Sequence, residues 1–249
     1  MDYISVNFFS QSLKMKTTFN VCLPSKITRE LSPIILLHGM GDDENSWLQN
    51  SLLPQYLAKK QLALIMPRAD LSYYQDTPFG NNYFNYVSME LLQKCRQLFP
   101  LQKDRQYTYI AGISMGGYGA LKVALNHPDS FAKCYTLSPN VDLLKSWRTH
   151  PDRDAWFSAL FDSPELFSRS SNDLFSLVSH WDDAAPKPAI YIACGQADPF
   201  YDDCLRFYKN FKKQHFPGSQ DISSPQGHNW IFWNEQLKKV FEDAASLSL

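Results

Sequence analysis

The hydrophobic residues of this chain fall in short runs that alternate with longer stretches of mixed polarity. Residues 34–37 and 63–66 are unbroken apolar runs, which are typical of strands buried on both faces of a parallel sheet. Further strands are predicted at 107–111, Lys133–Leu137 and Ala189–Ala193. Helices are predicted between or after them, at 51–59, 82–98, 118–126 and 236–245. The pattern therefore predicts an α/β fold, with a mostly parallel central sheet and helices on both of its faces.

The first 25 residues follow a different pattern. β-branched and aromatic residues are frequent at 3–9 and again at 16–23, and the polar residues Gln11 and Ser12 lie between these stretches. Two strands joined by a short polar link are typical of a β-hairpin. We therefore expect an antiparallel hairpin at one edge of the sheet.

The stretch from 140 to 188 interrupts the alternation of strands and helices. It combines many serines and aspartates with large aromatic residues such as Trp147, Trp156 and Phe161, and it is too long for one crossover helix. We interpret 140–188 as a helical cap insertion over the carboxyl edge of the sheet, within a single domain that spans 1–249. The alternative is a pair of ordinary surface helices.

Composition and charge exclude several classes of protein. The 249 residues include 24 Lys and Arg and 25 Asp and Glu, for a net charge of −1, whereas a nucleic-acid-binding protein needs a basic surface. Hydrophobic residues make up 44% of the chain and indicate a folded core. No run approaches the roughly 18 apolar residues of a membrane span, and no signal peptide is predicted.

The cysteines and acidic residues suggest neither a disulfide framework nor a metal site. The five cysteines are scattered without a CxxC pair, so we expect reduced thiols and a cytoplasmic protein. Asp42, Asp43 and Glu44 form an acidic run, but no histidine lies at ligand spacing, and we interpret the run as a solvated loop. No metal or organic cofactor is predicted, and the sequence is compatible with a homo-oligomer.

The pattern with the clearest chemical meaning is Gly112-Ile113-Ser114-Met115-Gly116, which lies between a predicted strand and a predicted helix. In this context, G-x-S-x-G is typical of a nucleophile elbow. The turn is so tight that larger side chains two positions before or after the serine would clash, and it leaves the Ser114 hydroxyl exposed. The alternative interpretation is a glycine-rich turn with an incidental serine.

A serine hydroxyl is a poor nucleophile at neutral pH, so it needs a base, and the base needs an orienting acid. Among the six histidines, His228 lies in a loop just before the last predicted helix. Asp198 is the first carboxylate after the predicted strand Ala189–Ala193, as the chain order Ser, Asp, His requires. Asp202 and Asp203 are alternatives, but they fall on the first turn of the next helix, where carboxylates favour the dipole. We therefore predict a catalytic triad of Ser114, Asp198 and His228.

Negative charge that develops on a substrate oxygen needs two backbone N–H donors. Met115, the residue after the serine, supplies one of them. We assign the other to Met40, because Gly39 and Gly41 let the loop after an early strand turn sharply. His38, in the same loop, is interpreted as a structural hydrogen-bonding residue.

Three aromatic residues, Tyr73, Tyr74 and Trp230, are candidates for the wall of a substrate pocket. Aromatic residues make up 14% of the chain, and most of them are expected in the core. Core packing is therefore the alternative for these three. The partner implied by the predicted chemistry is a small-molecule ester.

The sequence around these residues resembles the esterase D (S-formylglutathione hydrolase) family of α/β-hydrolases, and within it the bacterial tributyrin esterases. The similar segments are LLHGMGDDENSW (36–47), LIMPRADLSYYQD (64–76), AGISMGGYGALKVALNHPDSFA (111–132), CGQADPFYDD (194–203) and GHNWIFW (227–233). The resemblance places the nucleophile, acid and base at Ser114, Asp198 and His228. It places the oxyanion donors at Met40 and Met115.

The resemblance implies an α/β-hydrolase fold and a serine carboxylesterase that hydrolyses short-chain acyl esters through an acyl-enzyme. Some members of the family act on acetylated sugars, feruloyl esters or S-formylglutathione. A thioesterase or acyltransferase that uses the same residues is therefore the first alternative. A non-catalytic binding module with the same fold is the second.

Overall fold

The computed structural model describes residues 1–57 and 60–247, and within these ranges eight strands form one sheet. The strands are β1 (Asp2–Ser10), β2 (Met15–Leu23), β3 (Ser32–Leu37), β4 (Leu62–Pro67), β5 (Tyr109–Ile113), β6 (Lys133–Leu137), β7 (Ala189–Ala193) and β8 (Gly218–Asp221). Their order across the sheet is β1-β2-β4-β3-β5-β6-β7-β8. β1 pairs antiparallel with β2, and β2 with β4, whereas the other neighbours are parallel. The predicted edge hairpin is confirmed.

Helices connect the strands. They are α1 (Ser46–Asn50), α2 (Leu53–Tyr56), α3 (Tyr83–Asn85), α4 (Leu91–Leu98), α5 (Met115–Asn126), α6 (Leu143–Thr149), α7 (Asp154–Phe161), α8 (Pro164–Ser168), α9 (Leu174–Ser179), α10 (Tyr201–Lys213) and α11 (Trp230–Ser246). A π-helical turn at Tyr86–Glu90 joins α3 to α4, so the chain is helical throughout this stretch, close to the predicted 82–98.

The two faces of the sheet carry separate hydrophobic clusters. Along β3, Ile35 and Leu37 join the cluster that also holds side chains of α5 and α10, whereas Ile34 and Leu36 join the cluster with α1, α2 and α11. Alternate residues of a strand point to opposite faces. A strand covered by helices on both sides therefore buries its side chains on both faces, which explains the unbroken apolar runs at 34–37 and 63–66.

Several element boundaries differ from the prediction for local reasons. Only the short helix α2 lies within the helix predicted at 51–59, with Pro54 in its first turn, and α1 lies before that range. Residues 58 and 59 of that prediction lie outside the described residues. β5 begins at Tyr109 rather than at 107, because Arg105–Tyr107 form a 3₁₀ turn. β8 has the sequence GSQD, and its polar side chains gave no strand signal.

Residues 140–188 contain α6, α7, α8 and α9 between β6 and β7. Their aromatic residues pack inward: Trp147 stacks on Phe157 at 5.5 Å, and Phe157 contacts Tyr73 at 5.9 Å between ring centroids. Arg153, just before α7, reaches the sulfur of Met40 at 3.9 Å. The segment therefore lies beside the loop that follows β3.

The described residues were also compared with the requirements of a membrane span, a metal site and a disulfide. No helix in the described ranges has the length and apolarity that crossing a membrane would require. The same residues contain no cluster of three or more His, Cys, Asp or Glu that could hold a metal ion. All five cysteines are buried free thiols.

Candidate active site

Ser114 lies at the turn between β5 and α5, at the carboxyl edge of the parallel strands. Its backbone has φ 54° and ψ −117°, a conformation that is costly for a residue with a side chain. The N–H of Ser114 donates to the Leu137 carbonyl at 3.0 Å, which ties the turn to β6. A Cβ on Gly112 would lie 2.0 Å from the carbonyl oxygen of Gly116. The turn therefore has the tight geometry that the G-x-S-x-G pattern predicts.

The structure brings Ser114, His228 and Asp198 together. His228 Nε2 lies 2.9 Å from Ser114 Oγ, and His228 Nδ1 lies 2.9 Å from Asp198 Oδ2. Because an ionised carboxylate only accepts hydrogen bonds, Nδ1 carries the proton and Nε2 is left to accept from the serine hydroxyl. This is the arrangement that general-base activation of a serine requires.

The alternative acids lie elsewhere. Asp203 is buried, accepts from Lys145 Nζ at 2.9 Å on each carboxylate oxygen and pairs with Arg206 at 3.2 Å, so it links α10 to α6. Asp202 is exposed on the first turn of α10. Of these three carboxylates, it is therefore Asp198 that contacts His228.

The environment of Asp198 keeps its carboxyl group ionised. Burial favours the neutral form, but the bonds from His228, from the Phe200 N–H at 2.9 Å and from Ser138 outweigh it and hold the pKa below its usual value. The Asp198 side chain is 0% exposed, whereas His228 is 26% exposed. The acid is thus sealed from solvent while the imidazole stays accessible to a substrate.

The loops that carry the acid and the base are bonded to each other. The Ala197 N–H donates to the Gln226 carbonyl at 3.1 Å, just before Asp198 and His228 in the chain. Asn229 caps α11 by accepting from the Phe232 N–H at 3.1 Å, so the helix begins directly after the histidine. These contacts fix the position of His228 relative to Asp198.

Three residues that the sequence did not single out also contact the site. Phe200 and Trp233 pack edge-on against the His228 ring, at 5.4 and 5.1 Å between centroids, and Ser138 contacts Asp198. Phe200 and Trp233 belong to the segments CGQADPFYDD and GHNWIFW, which gave a signal for their neighbours only. Ser138 directly follows β6, one strand away from Ser114 and Asp198, and that strand order was not readable from the sequence.

The predicted oxyanion donors are placed next to the serine by two elements. Met115 is the first residue of α5, where an N–H has no acceptor within the helix. In the loop after β3, a Cβ on Gly39 would lie 3.6 Å from the Cβ of Ser114, so the loop that continues to Met40 lies directly against the serine. Both residues therefore lie close to Ser114 in the structure.

His38 is a structural residue of that loop, as the sequence indicates. The ring is buried, its Nε2 accepts from the Ala69 N–H at 3.0 Å, and its Nδ1 donates to the Gly39 carbonyl at 2.8 Å. Burial lowers the pKa of His38, against the opposing effect of the bond to Gly39 and of nearby carboxylates. A neutral His38 thus anchors the main chain beside Met40.

The candidate pocket residues differ in their placement. Tyr74 is fully buried and donates its hydroxyl to the His38 carbonyl at 2.9 Å, so it supports the loop from the core and does not line a pocket. Its aromatic character alone could not show that the side chain points inward. Tyr73 is 3% exposed and packs on Trp156 of α7 at 5.4 Å. Trp230 packs edge-on against Trp233 at 5.1 Å.

A serine at a strand–helix elbow, on the carboxyl edge of a mostly parallel sheet with helices on both faces, defines an α/β-hydrolase. The sequence matches the family described as "Putative esterase" over residues 10–243. The chain belongs to this esterase family, which confirms the resemblance to the esterase family drawn from its sequence segments.

Curated and solved relatives agree with this assignment. An acetyl esterase of Caldicellulosiruptor saccharolyticus is 28% identical over 266 residues, which cover 100% of both chains. Fluorophosphonate-binding serine hydrolase F of Staphylococcus aureus superposes with a TM-score of 0.87, and S-formylglutathione hydrolase of the same organism with 0.88. Both are 28% identical to this chain and covered over 98% of each chain. The protein is therefore a carboxylic ester hydrolase of the serine hydrolase type.

Proposed function

We propose that this protein is a serine carboxylesterase for short-chain acyl esters, with Ser114 as nucleophile, His228 as general base and Asp198 as the orienting acid. The observation that carries the proposal is the continuous chain of two 2.9 Å contacts from the Asp198 carboxylate through the imidazole to the Ser114 hydroxyl.

Acylation begins with attack of Ser114 Oγ on the ester carbonyl carbon, while His228 Nε2 takes the hydroxyl proton. The carbonyl oxygen becomes an oxyanion that accepts bonds from the Met40 and Met115 N–H groups. Asp198 stabilises the imidazolium that forms. The tetrahedral intermediate then collapses, the alcohol leaves with the proton from His228, and the acyl group remains on Ser114.

Deacylation repeats these steps with water as the nucleophile. His228 Nε2 removes a proton from the water molecule, which attacks the acyl carbon and forms a second oxyanion at the same two amides. Collapse of this intermediate returns the proton to Ser114 and releases the carboxylic acid. The described residues supply every proton transfer in this scheme.

The segment 140–188 supports the preference for short acyl groups. We propose that it acts as a cap, because Arg153 contacts Met40 in the predicted oxyanion loop and Trp156 packs on Tyr73. Aromatic side chains packed this closely leave little room for a long acyl chain. One of the relatives is named as an acetyl esterase, and the acetyl group is a short acyl group.

Hydrolysis of p-nitrophenyl acetate by the wild type and by Ser114→Ala tests the proposal. We expect the variant to lose turnover and labelling by a fluorophosphonate while it keeps the wild-type circular dichroism spectrum. Ser5→Ala, in the exposed edge strand β1, is the matched control and should behave as the wild type. Turnover retained by Ser114→Ala would contradict the assignment, and an unlabelled wild type would favour a binding module.

An ester series from acetate to octanoate measures the acyl preference. We expect kcat/KM to be highest for the shortest acyl groups and to fall as the chain grows. A rise toward octanoate would contradict the proposed cap. A feruloyl ester in the same series tests whether an aromatic acyl group is accepted.

Thioester hydrolysis is the second candidate, favoured by the S-formylglutathione hydrolase that shares 28% identity and a TM-score of 0.88 with this chain. The same nucleophile and oxyanion donors would serve a thioester. Comparison of kcat/KM for S-formylglutathione and for p-nitrophenyl acetate separates the two. A clear preference for S-formylglutathione would make the thioester the natural substrate class.

We also propose a cytoplasmic location. All five cysteines are buried free thiols, and such thiols persist in reducing compartments. Fractionation of the native host with an antibody to this protein tests the location, and recovery from the extracellular fraction would contradict it.

A further inference from the structure

Ser138 occupies a central position behind the proposed catalytic residues. It directly follows β6, which lies between β5, the strand before Ser114, and β7, the strand before Asp198. Its φ is 50°, in the left-handed region, and its N–H donates to the Ala193 carbonyl at 2.7 Å. The residue is fully buried. A serine held in a costly backbone conformation at this point suggests that its side chain has a specific function.

The hydroxyl of Ser138 has a defined orientation. The indole Nε1–H of Trp233 donates to Ser138 Oγ at 3.0 Å, and an indole nitrogen is a donor only. Ser138 Oγ is therefore the acceptor in this bond, and its own proton points elsewhere. Asp198 lies beside this hydroxyl, and the Ser138 side chain is among the groups that hold the pKa of Asp198 below its usual value.

Trp233 contacts the base as well as the serine. Its ring packs edge-on against the His228 imidazole, with 5.1 Å between centroids and an interplanar angle of 86°. One side chain on α11 therefore touches both the hydroxyl that bonds Asp198 and the ring that Asp198 orients. Hydrogen bonds link Trp233 to Ser138, and Asp198 through His228 to Ser114, and Ser138 lies beside Asp198 between the two sets.

We infer that Ser138 and Trp233 are positioning residues of the reaction: the indole N–H of Trp233 aims the Ser138 hydroxyl at Asp198, and that hydroxyl holds the carboxylate in the plane that His228 needs. This role rests on the proposed function. The Phe200 N–H fixes Oδ1 and His228 occupies Oδ2, so Ser138 supplies a further donor that keeps the carboxylate from rotating.

One other titratable group faces this carboxylate. The Cys194 thiol lies against Asp198 and Cys204, and the Cys204 thiol, burial and the carboxylate together raise the pKa of Cys194. The thiol therefore stays protonated and adds no negative charge beside Asp198. Its weak S–H donor does not replace a hydroxyl.

Steady-state kinetics on p-nitrophenyl acetate tests the inference with three variants. Ser138→Ala removes the hydroxyl, Ser138→Gly removes it and also relieves the backbone conformation, and Trp233→Phe removes the N–H but keeps a ring beside His228. We expect Ser138→Ala and Ser138→Gly each to lower kcat about tenfold with KM nearly unchanged, because a bond to a charged group is lost. Trp233→Phe should lower kcat less, about threefold, because the hydroxyl remains but is no longer aimed.

The double variant Ser138→Ala/Trp233→Phe tests whether the two residues act through one path. We expect its kcat to equal that of Ser138→Ala, whereas additive losses would overturn the proposed path. The proton NMR signal of His228 Nδ1–H reads the same contact without turnover and should shift in each single variant.

Wild-type kcat in Ser138→Ala and Ser138→Gly, with Ser114→Ala inactive, would overturn the role of Ser138 and leave the esterase proposal standing. An inactive wild type that no fluorophosphonate labels would instead overturn the proposed function. If the Ser138 variants do not fold, Trp233→Phe alone tests the inference. A wild-type kcat and an unchanged Nδ1–H signal in this variant would overturn it.

Discussion

The carbonyl oxygen of Leu37 lies 2.2 Å from the position that a Cβ would take on Gly116. The end of β3 and the first turn of α5 therefore meet through main-chain atoms. Because both partners belong to the backbone, neither can rotate away from an added side chain. This contact brings the loop that carries Met40 beside Ser114. A glycine at position 116 is therefore needed both for the fold and for the placement of this loop.

We expect Gly116→Ala to destabilise the protein by more than about 3 kcal/mol, since the methyl group would overlap backbone atoms. Gly80→Ala is a useful comparison, because Gly80 has φ 98° but nothing within 4 Å of its Cβ position. Its cost should be only that of the left-handed conformation, about 1–2 kcal/mol. Urea unfolding midpoints measure both effects, and an equal loss in the two variants would contradict the clash.

Much of the site was predictable because its residues stand in loops with strong local signals. The glycines around Ser114 are required by the turn itself, and Asp198 and His228 follow the chain order of a serine, acid and base. β6 and β7 were predicted with the observed boundaries. The local sequence pattern was therefore sufficient to predict those features that the local backbone conformation determines.

Other features depend on packing between distant elements. The burial of Tyr74 and the contact of Ser138 with Asp198 arise from which strands are neighbours in the sheet, and the sequence carries no local mark of this. β8 is a polar edge strand whose pairing with β7 comes from the backbone, so hydrophobic periodicity could not reveal it. The helices within 140–188 were likewise not resolved one by one.

Asp198→Asn should lower kcat by about 10⁴-fold with little change in KM. The amide keeps a hydrogen-bonding group beside His228 Nδ1, but it lacks the charge that stabilises the imidazolium and it can enforce the wrong tautomer. Asp202→Asn, on the exposed first turn of α10, is the matched control and should keep wild-type kinetics. Steady-state kinetics with p-nitrophenyl acetate checks both. A loss of less than about tenfold in Asp198→Asn would be incompatible with its role as the acid.

The buried ammonium group of Lys122 should make the stability of the protein depend on pH. The side chain is 2% exposed, its Nζ donates to the Tyr74 carbonyl at 3.2 Å, and burial lowers its pKa to about 7 even though Asp76 opposes this. Between pH 7 and about 10, the unfolded chain holds a proton that the native protein has released. The free energy of unfolding should therefore rise with pH across this range.

Lys122→Met removes this titration. We expect the stability of the wild type relative to the variant to increase from pH 7 to about pH 10, as measured by urea unfolding at several pH values. Lys209→Met, at an exposed position of α10, should follow the wild-type curve. Parallel curves for the wild type and Lys122→Met would show that the native protein holds Lys122 in its charged form.

His38→Leu should weaken both the fold and the reaction, because the ring links the Ala69 N–H to the Gly39 carbonyl beside Met40. Two buried backbone groups would lose their partner, at a cost of about 2 kcal/mol or more, and the loop would hold the Met40 amide less firmly, so kcat should fall.

Since burial lowers the pKa of His38, the unfolded chain takes up a proton first as the pH falls below about 6.5, and this part of the wild-type stability is lost on acidification. The stability difference between the wild type and His38→Leu should therefore shrink at acidic pH, and His180→Leu, at an exposed position, is the matched control. A difference that stays constant from pH 8 to about pH 5 would mean that the anchoring ring is not held neutral.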